Sequence, residues 1–183
     1  MCNMGFKYRP NIYLDMDGVL ADFDKGCLQN GIQNRNDLIY KPREQWTAEE
    51  NLLRNKVEDL MSSPGFFYNL PVFSYTDPLW VYSNTVANTF ILTARPLFVN
   101  GPEGRIPAEK LEWCRKNLPN FKDEQFICCL RPEKSKYALD NILVDDMKKN
   151  CEEWKEKGGV AILHTSYDVT ADALGELFDY RAA

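Results

Sequence analysis

Two aspartates that follow a short apolar run are the side chains of this sequence best placed to do chemistry. The run at residues 12–14 is β-prone and is followed by Asp15, Met16, Asp17 and Gly18. A strand that leads into a glycine turn leaves its last side chains at the edge of a sheet where open α/β folds bind ligands. Two carboxylates there can divide the work, one as nucleophile or metal ligand and the other as proton donor. A plain surface turn is the alternative interpretation.

A second pair of acids, Asp145 and Asp146, follows the apolar run at residues 142–144. Like charges side by side at a strand end are costly to bury unless a cation pairs with them. A hard divalent cation suits carboxylate ligands, and we expect Mg²⁺. The alternative, a helix N-cap, would account for Asp146 alone.

Two further polar signals follow predicted strands. The hydroxyl of Thr93 could donate a hydrogen bond to a phosphate oxygen, although threonine also caps helices. A lysine early in the next helix could reach a phosphate and offset the carboxylates. We favour Lys136, which lies nine residues before Asp145 and directly before an apolar helix face, and Lys134, eleven residues before, is the alternative.

Apolar runs alternate with helical patterns, which predicts an α/β fold with a Rossmann-like parallel sheet. We predict strands near residues 12–14, 89–92, 125–130, 142–144 and 160–163, and helices at 107–118, 135–139, 147–157 and 169–178. The segment between the first two strands is too long for a plain crossover. It predicts a small, mostly helical cap at 22–84, inserted after the first strand, with residues 1–21 and 85–183 forming the core.

The composition narrows the classes of partner. Of 183 residues, 44% are hydrophobic and 27% charged, and the net charge is −5, which argues against a nucleic-acid polymer. We find no signal peptide and no membrane span, and the six cysteines lack metal spacing, so we expect a cytoplasmic protein with reduced thiols. Cys128 and Cys129 are expected to be buried, His164 to be structural, and a homodimer is compatible with the sequence.

Residues 15–23 resemble the opening motif of haloacid dehalogenase-like phosphohydrolases. Within them the sequence is most similar to the 5'(3')-deoxyribonucleotidases and related nucleotidase-like proteins of bacteria and phages. Residues 64–67 in the predicted cap and 154–164 near the end resemble the same branch. The resemblance covers about residues 11–178.

The resemblance implies a phosphatase that works through an aspartyl-phosphate. Asp15 would attack phosphorus, and Asp17 would protonate the leaving alkoxide and then activate water. Thr93 and a lysine would hold the phosphoryl oxygens. Mg²⁺ would be bound by Asp15, by the backbone carbonyl of Asp17, and by Asp145 or Asp146.

The resemblance also implies that aromatic side chains of the first motif and the cap enclose the base. In this chain these are Phe23, Phe66 and Phe67. Arg95 stands where the mammalian nucleotidases have proline, and it is a candidate substrate contact or a structural residue.

The leading hypothesis is therefore a Mg²⁺-dependent nucleotidase acting on deoxyribonucleoside monophosphates. A phosphatase for a sugar phosphate or another small phosphorylated metabolite is the first alternative. An inactive nucleotide- or phosphate-binding module is the second.

Overall fold

One parallel sheet organises the molecule. The computed structural model describes residues 10–33, 43–97 and 104–179. Its five strands lie in the order β3-β2-β1-β4-β5, and every pairing is parallel. The strands are β1 (Ile12–Leu14), β2 (Thr89–Arg95), β3 (Phe126–Leu130), β4 (Ile142–Asp145) and β5 (Val160–Leu163). This topology confirms the predicted α/β, Rossmann-like fold.

Helices connect the strands and flank the sheet. They are α1 (Phe23–Gln29), α2 (Ala48–Ser62), α3 (Thr76–Val86), α4 (Arg105–Asn117), α5 (Lys148–Glu156) and α6 (Tyr167–Asp179). The helix predicted at 135–139 is wrong, because a 3₁₀ segment, Arg131–Tyr137, occupies this place. Pro132 fixes the backbone near its start, and the Glu133 carboxylate accepts a hydrogen bond from Leu130 N at 3.1 Å.

The central strands β1 and β4 bring the two acidic pairs to one edge. Leu14 lies opposite Val144, and both strands are wholly buried. Asp15 N donates to the carbonyl of Val144 at 2.9 Å, so the ladder continues to the first acid. Because parallel strands share their carboxyl edge, residues far apart in sequence meet there.

The segment after β1 carries helices α1, α2 and α3. Of these, α3 contacts β2 and α6, although it begins inside the predicted cap of residues 22–84. The division into core and cap stays a prediction. No helix within the described ranges is long and apolar enough to cross a membrane.

The five cysteines that the structure describes are free. Cys128 and Cys129 are only half-buried, so the prediction that both are buried is wrong. They lie on β3, an edge strand, where the sheet covers them from one side only. Cys2 lies outside the described residues.

Candidate active site

Three carboxylates converge at the carboxyl edge of the sheet. Asp15, Asp145 and Asp146 each offer an oxygen atom, and these atoms lie within 4.8 Å of one another. Asp15 is 6% exposed and Asp145 is fully buried. The sheet register therefore joins the two acidic pairs that the sequence singled out.

Lys134 is the cation inside this cluster. Its side chain is 3% exposed, and Nζ lies 2.9 Å from Asp15 Oδ1 and 2.8 Å from Asp145 Oδ2. Asn150 Nδ2 also donates to both carboxylate oxygens of Asp145, at 2.9 and 3.0 Å. Lys134 thus links the end of β1 to the end of β4.

The choice of Lys136 over Lys134 is wrong. Lys136 is 68% exposed and pairs with Glu133 at 2.7 Å on the surface. The physical reason is the 3₁₀ segment, which starts earlier than the predicted helix and directs Lys134 towards the acids.

The pKa values of two of these acids, Asp15 and Asp146, are raised. Burial raises the pKa of Asp15 to about 7, against the opposing effect of Lys134, and Asp145 and Asp17 raise it further. Burial also raises the pKa of Asp146 to about 8, assisted by repulsion from Asp15 and Asp145. Burial lowers the pKa of Lys134, but its two carboxylate partners outweigh this and raise it overall.

A second buried lysine, Lys110 on α4, holds Asp17. Its side chain is fully buried, and Nζ lies 2.5 Å from Asp17 Oδ2 and 2.8 Å from both Thr93 Oγ1 and the carbonyl of Ala94. Nζ also lies 4.7 Å from the centre of the Phe67 ring. Lys110 therefore connects the second acid of the first motif to the end of β2.

Sequence reasoning missed Lys110, although the sequence contains a signal for it. The buried residues of α4 include Ile106, Lys110, Trp113 and Cys114, which lie at the spacing of a single helical face. A lysine in the middle of an apolar stripe is rarely fully buried without a partner. Its position on this face therefore predicts an acidic partner near the sheet.

Thr93 is fully buried, and Lys110 hydrogen-bonds both to it and to Asp17. Its hydroxyl oxygen accepts from Lys110, and it does not line the cavity described below, whereas the next residue, Ala94, does. A role of Thr93 in holding phosphate stays a prediction.

Gly18 allows the two acidic loops to approach each other. Its φ is +85°, and a Cβ placed on it would lie 2.3 Å from Asp146 Oδ2 and 2.7 Å from Asp146 Cγ. Any side chain at this position would displace Asp146. The position of Asp146 therefore requires glycine at residue 18.

A cavity of about 440 Å³ opens onto the acids, within the range of about 300–1,000 Å³ typical of small-molecule sites. Asp15, Asp17, Lys134 and Asp146 line its polar end. The other walls come from the segment that follows β1 and from residues at and after the ends of β2, β3 and β4: Phe23, Arg54, Glu58, Met61, Phe67, Ala94, Arg95, Pro96, Leu97, Arg131, Pro132, Met147 and Asn150.

The predicted aromatic residues form one cluster, of which two members face the cavity. Phe23 and Phe67 line it, whereas Phe66 does not. Phe66 instead packs edge-on against both rings, with centroids 5.4 Å from Phe23 and 5.2 Å from Phe67. Arg95 also lines the cavity, and its role as a substrate contact stays a prediction.

Glu109, the neighbour of Lys110 on α4, fastens the aromatic segment to the core. Its carboxylate accepts hydrogen bonds from Gly65 N at 2.8 Å and from Phe67 N at 3.2 Å. Arg105 pairs with the same carboxylate at 2.8 Å and donates to the carbonyls of Ser62 and Ser63. Helix α4 therefore positions both the cap aromatics and Asp17.

His164 has hydrogen-bond partners of its own. It is buried, with Nε2 3.0 Å from Tyr75 Oη and Nδ1 2.8 Å from Thr170 Oγ1. Burial lowers the pKa of its ring. The expectation of a structural histidine agrees with these contacts.

The donor set fits a hard divalent cation. Among the described residues, Lys134 pairs with Asp15 and Asp145, so the three clustered carboxylates outnumber the lysine beside them. In addition, Asp17 Oδ1 is buried and has no hydrogen-bond partner among the described residues. Oxygen ligands with surplus charge are what Mg²⁺ requires.

Comparisons with known proteins agree with the predicted class. No family model matches the chain. A protein of Staphylococcus epidermidis with the provisional name 5'(3')-deoxyribonucleotidase is 28% identical over 160 residues, covering 81% of this chain and 80% of its own length. The human cytosolic-type 5'(3')-deoxyribonucleotidase is 27% identical over 146 residues, covering 74% of this chain and 69% of its own length.

Two solved structures are also similar. A hydrolase from Streptococcus pneumoniae has a TM-score of 0.47 and 14% identity, covering 93% of this chain and 98% of its own. A haloacid dehalogenase family enzyme from Bacteroides thetaiotaomicron, in complex with magnesium and inorganic phosphate, has a TM-score of 0.42 and 15% identity, covering 84% and 93%.

The names of the curated relatives confirm the predicted resemblance. The chain resembles the haloacid dehalogenase-like phosphohydrolases, and within them its curated relatives carry the name 5'(3')-deoxyribonucleotidase. The chain is an enzyme of the phosphatase class, as the sequence predicts.

Proposed function

We propose that this chain is a Mg²⁺-dependent 5'(3')-deoxyribonucleotidase that works through an aspartyl-phosphate on Asp15. The observation that carries the proposal is the convergence of Asp15, Lys134 and Asp146 at the polar end of the cavity. The buried Asp145 belongs to the same cluster and pairs with Lys134. A phosphate brought to this end meets a nucleophile, a cation and a site for a metal in one place.

The hydrogen bonds of Asp15 indicate which oxygen attacks. Oδ1 accepts from Met16 N at 2.8 Å and pairs with Lys134 at 2.9 Å. These contacts fix the carboxylate plane and leave Oδ2 for the in-line attack on phosphorus. The ester bond between phosphorus and the leaving oxygen breaks as the new bond to Oδ2 forms.

Asp17 moves the proton in both steps. Lys110 holds Oδ2, and Oδ1 is the atom with no other described partner, so Oδ1 carries the proton to the leaving alkoxide. In the second step Asp17 takes a proton from water as the water oxygen attacks phosphorus. The bond from phosphorus to Asp15 then breaks, which releases inorganic phosphate and restores the carboxylate.

Asp15, Asp145 and Asp146, with the backbone carbonyl of Asp17, would hold Mg²⁺. When bound, the ion supplies positive charge beside the phosphoryl oxygens and reduces their repulsion by the acids. Lys134 would contribute further positive charge from its place between Asp15 and Asp145.

The names of the curated relatives and the shape of the cavity support a deoxynucleotide as substrate. Phe23 and Phe67 offer apolar ring faces on the same cavity as the acids, which suits a base attached to the phosphate through a sugar. The cytoplasmic location and the homodimer predicted from sequence stay predictions.

Phosphate release by the purified protein tests the proposal. We expect Mg²⁺-dependent release from deoxyribonucleoside monophosphates in preference to sugar phosphates, and loss of release in EDTA. Asp15→Asn should abolish turnover while thermal unfolding stays cooperative. Hydrolysis of sugar phosphates alone would redirect the proposal to the alternative substrate class, and no release from any phosphomonoester would reject it.

A further inference from the structure

The cap places an ion pair on the wall of the catalytic cavity. Arg54 Nε donates to Glu58 Oε1 at 2.6 Å, one turn apart on α2, and both residues line the cavity together with Met61. Their side chains are 38% and 28% exposed. Neither residue belongs to the acid–lysine group.

An exposed pair of the same spacing provides a contrast. Lys148 and Glu152 on α5 are 76% and 58% exposed, lie 3.6 Å apart, and do not line the cavity. Such an exposed pair stabilises its helix slightly and needs no further role. Arg54 and Glu58 instead line a partly enclosed cavity, where their polar atoms are accessible to a bound ligand.

The polar atoms of Arg54 and Glu58 that take no part in their mutual hydrogen bond determine what the pair can bind. The guanidinium has donors on both terminal nitrogens beyond the Nε that Glu58 uses, and Glu58 has a second oxygen, Oε2. Within the ranges that the structure describes, none of these atoms has a protein partner. The pair therefore presents donors beside an acceptor.

The charge of the pair argues against an anionic ligand. Glu58 neutralises Arg54, so the pair offers no net positive charge to a second phosphate, and the free oxygen of Glu58 would repel one. A neutral group that carries an acceptor beside a donor fits best, and the edge of a nucleobase is such a group. Phe67, which lines the same cavity, would cover the face of that base.

We propose that Arg54 and Glu58 form a specificity subsite that hydrogen-bonds the polar edge of a nucleobase. This inference rests on the proposed nucleotidase function and assigns base selection to the cap helix. The consequence is a preference for a nucleotide over the same sugar phosphate without a base.

The test compares a deoxyribonucleoside 5'-monophosphate with 2-deoxyribose 5-phosphate, which shares its phosphate and sugar. The measured quantity is the ratio of kcat/KM for the two substrates, in wild type and in Arg54→Ala and Glu58→Gln. We expect Arg54→Ala to lower this ratio about 10- to 100-fold, the effect of losing hydrogen bonds to a charged group. Glu58→Gln, which keeps the size of the side chain, should lower it severalfold.

Arg115→Ala is the matched control, because Arg115 pairs with Glu112 and Asp123 away from the cavity. It should leave the ratio unchanged. The subsite is refuted if both cap variants keep the wild-type ratio within twofold, or if Arg54→Ala impairs only a nucleoside 3',5'-bisphosphate, which would indicate a second phosphate site. Failure of the proposed function is distinct, since the wild type would then not hydrolyse the nucleotide.

Discussion

Replacing Lys134 tests whether the clustered acids depend on a buried lysine partner. Lys136, two residues away, provides the control. Lys134 is 2% exposed and lies within 2.9 Å of carboxylates on two strands. Lys134→Met would leave these buried charges without their lysine. Removing one partner of a buried ion pair costs about 3–5 kcal/mol.

The expected loss is large enough to measure by thermal unfolding. In a domain of this size, 1 kcal/mol shifts Tm by about 2–4 °C, so Lys134→Met should lower Tm by about 6–20 °C in EDTA. Lys136→Met removes a side chain that is 68% exposed and should change Tm by about 2 °C or less.

Added Mg²⁺ sharpens the comparison. An ion held by the carboxylates would replace part of the missing charge, so Lys134→Met should gain more Tm from MgCl₂ than the wild type does. Phosphatase activity should be lost in Lys134→Met and kept in Lys136→Met. Equal Tm shifts for the two variants, or a more stable Lys134→Met protein, would refute this account of the site.

Three further predictions concern charge, the cap and the glycine turn. In EDTA, the free energy of unfolding should fall as pH rises from about 4 to 8. The folded-state pKa is about 7 for Asp15 and about 8 for Asp146, both above the ordinary 3.8. Between these values the folded protein therefore holds protons that the unfolded chain has released. Asp146→Asn should flatten this slope in urea titrations, and an unchanged slope would contradict the assignment. Glu109→Ala should raise KM several times more for a nucleotide than for p-nitrophenyl phosphate in steady-state assays, because the carboxylate fixes the aromatic segment, and Glu109→Gln should recover part of the loss. Gly18→Ala should lower kcat/KM about 100-fold or more by displacing Asp146. Gly31 also has a positive φ, but a Cβ there would meet nothing within 4 Å, so Gly31→Ala should stay active. Equal activity of the two variants would argue against the close approach of Gly18 to Asp146.

The strands were predictable because buried parallel strands read as continuous apolar runs. β1 and β5 begin and end where the sequence predicts, and β2 continues to Arg95 because it pairs with β3 along that length. The two acidic pairs could be placed at one edge for the same reason. Connectivity alone brought Asp15 and Asp145 together.

The lysines were harder, because their orientation depends on local winding and on tertiary partners. Lys134 and Lys136 differ by two positions, and only the start of the 3₁₀ segment determines which of them faces the acids. Lys110 belongs to a helix that no motif marks as functional. Its partners, Asp17 and Thr93, are 93 and 17 residues away in sequence.

The segment that follows β1 was the least predictable part of the site. Phe23, Phe66 and Phe67 were named together, yet only the packing of the three rings shows that Phe66 supports the others from outside the cavity. The position of Arg54 and Glu58 on the cavity depends on which face of α2 is turned towards it, and a helical pattern does not specify this.

The central claim is that the Asp15 carboxylate attacks phosphorus, and rapid-quench labelling tests it most directly. The enzyme would be mixed with a ³²P-labelled deoxyribonucleoside monophosphate and Mg²⁺, quenched in acid within the first turnover, and mapped by peptide. The account predicts hydroxylamine-sensitive label on the peptide that contains Asp15, and more of it in Asp17→Asn if leaving-group departure still occurs. Phosphate formed within that turnover while no label appears on the protein would contradict it.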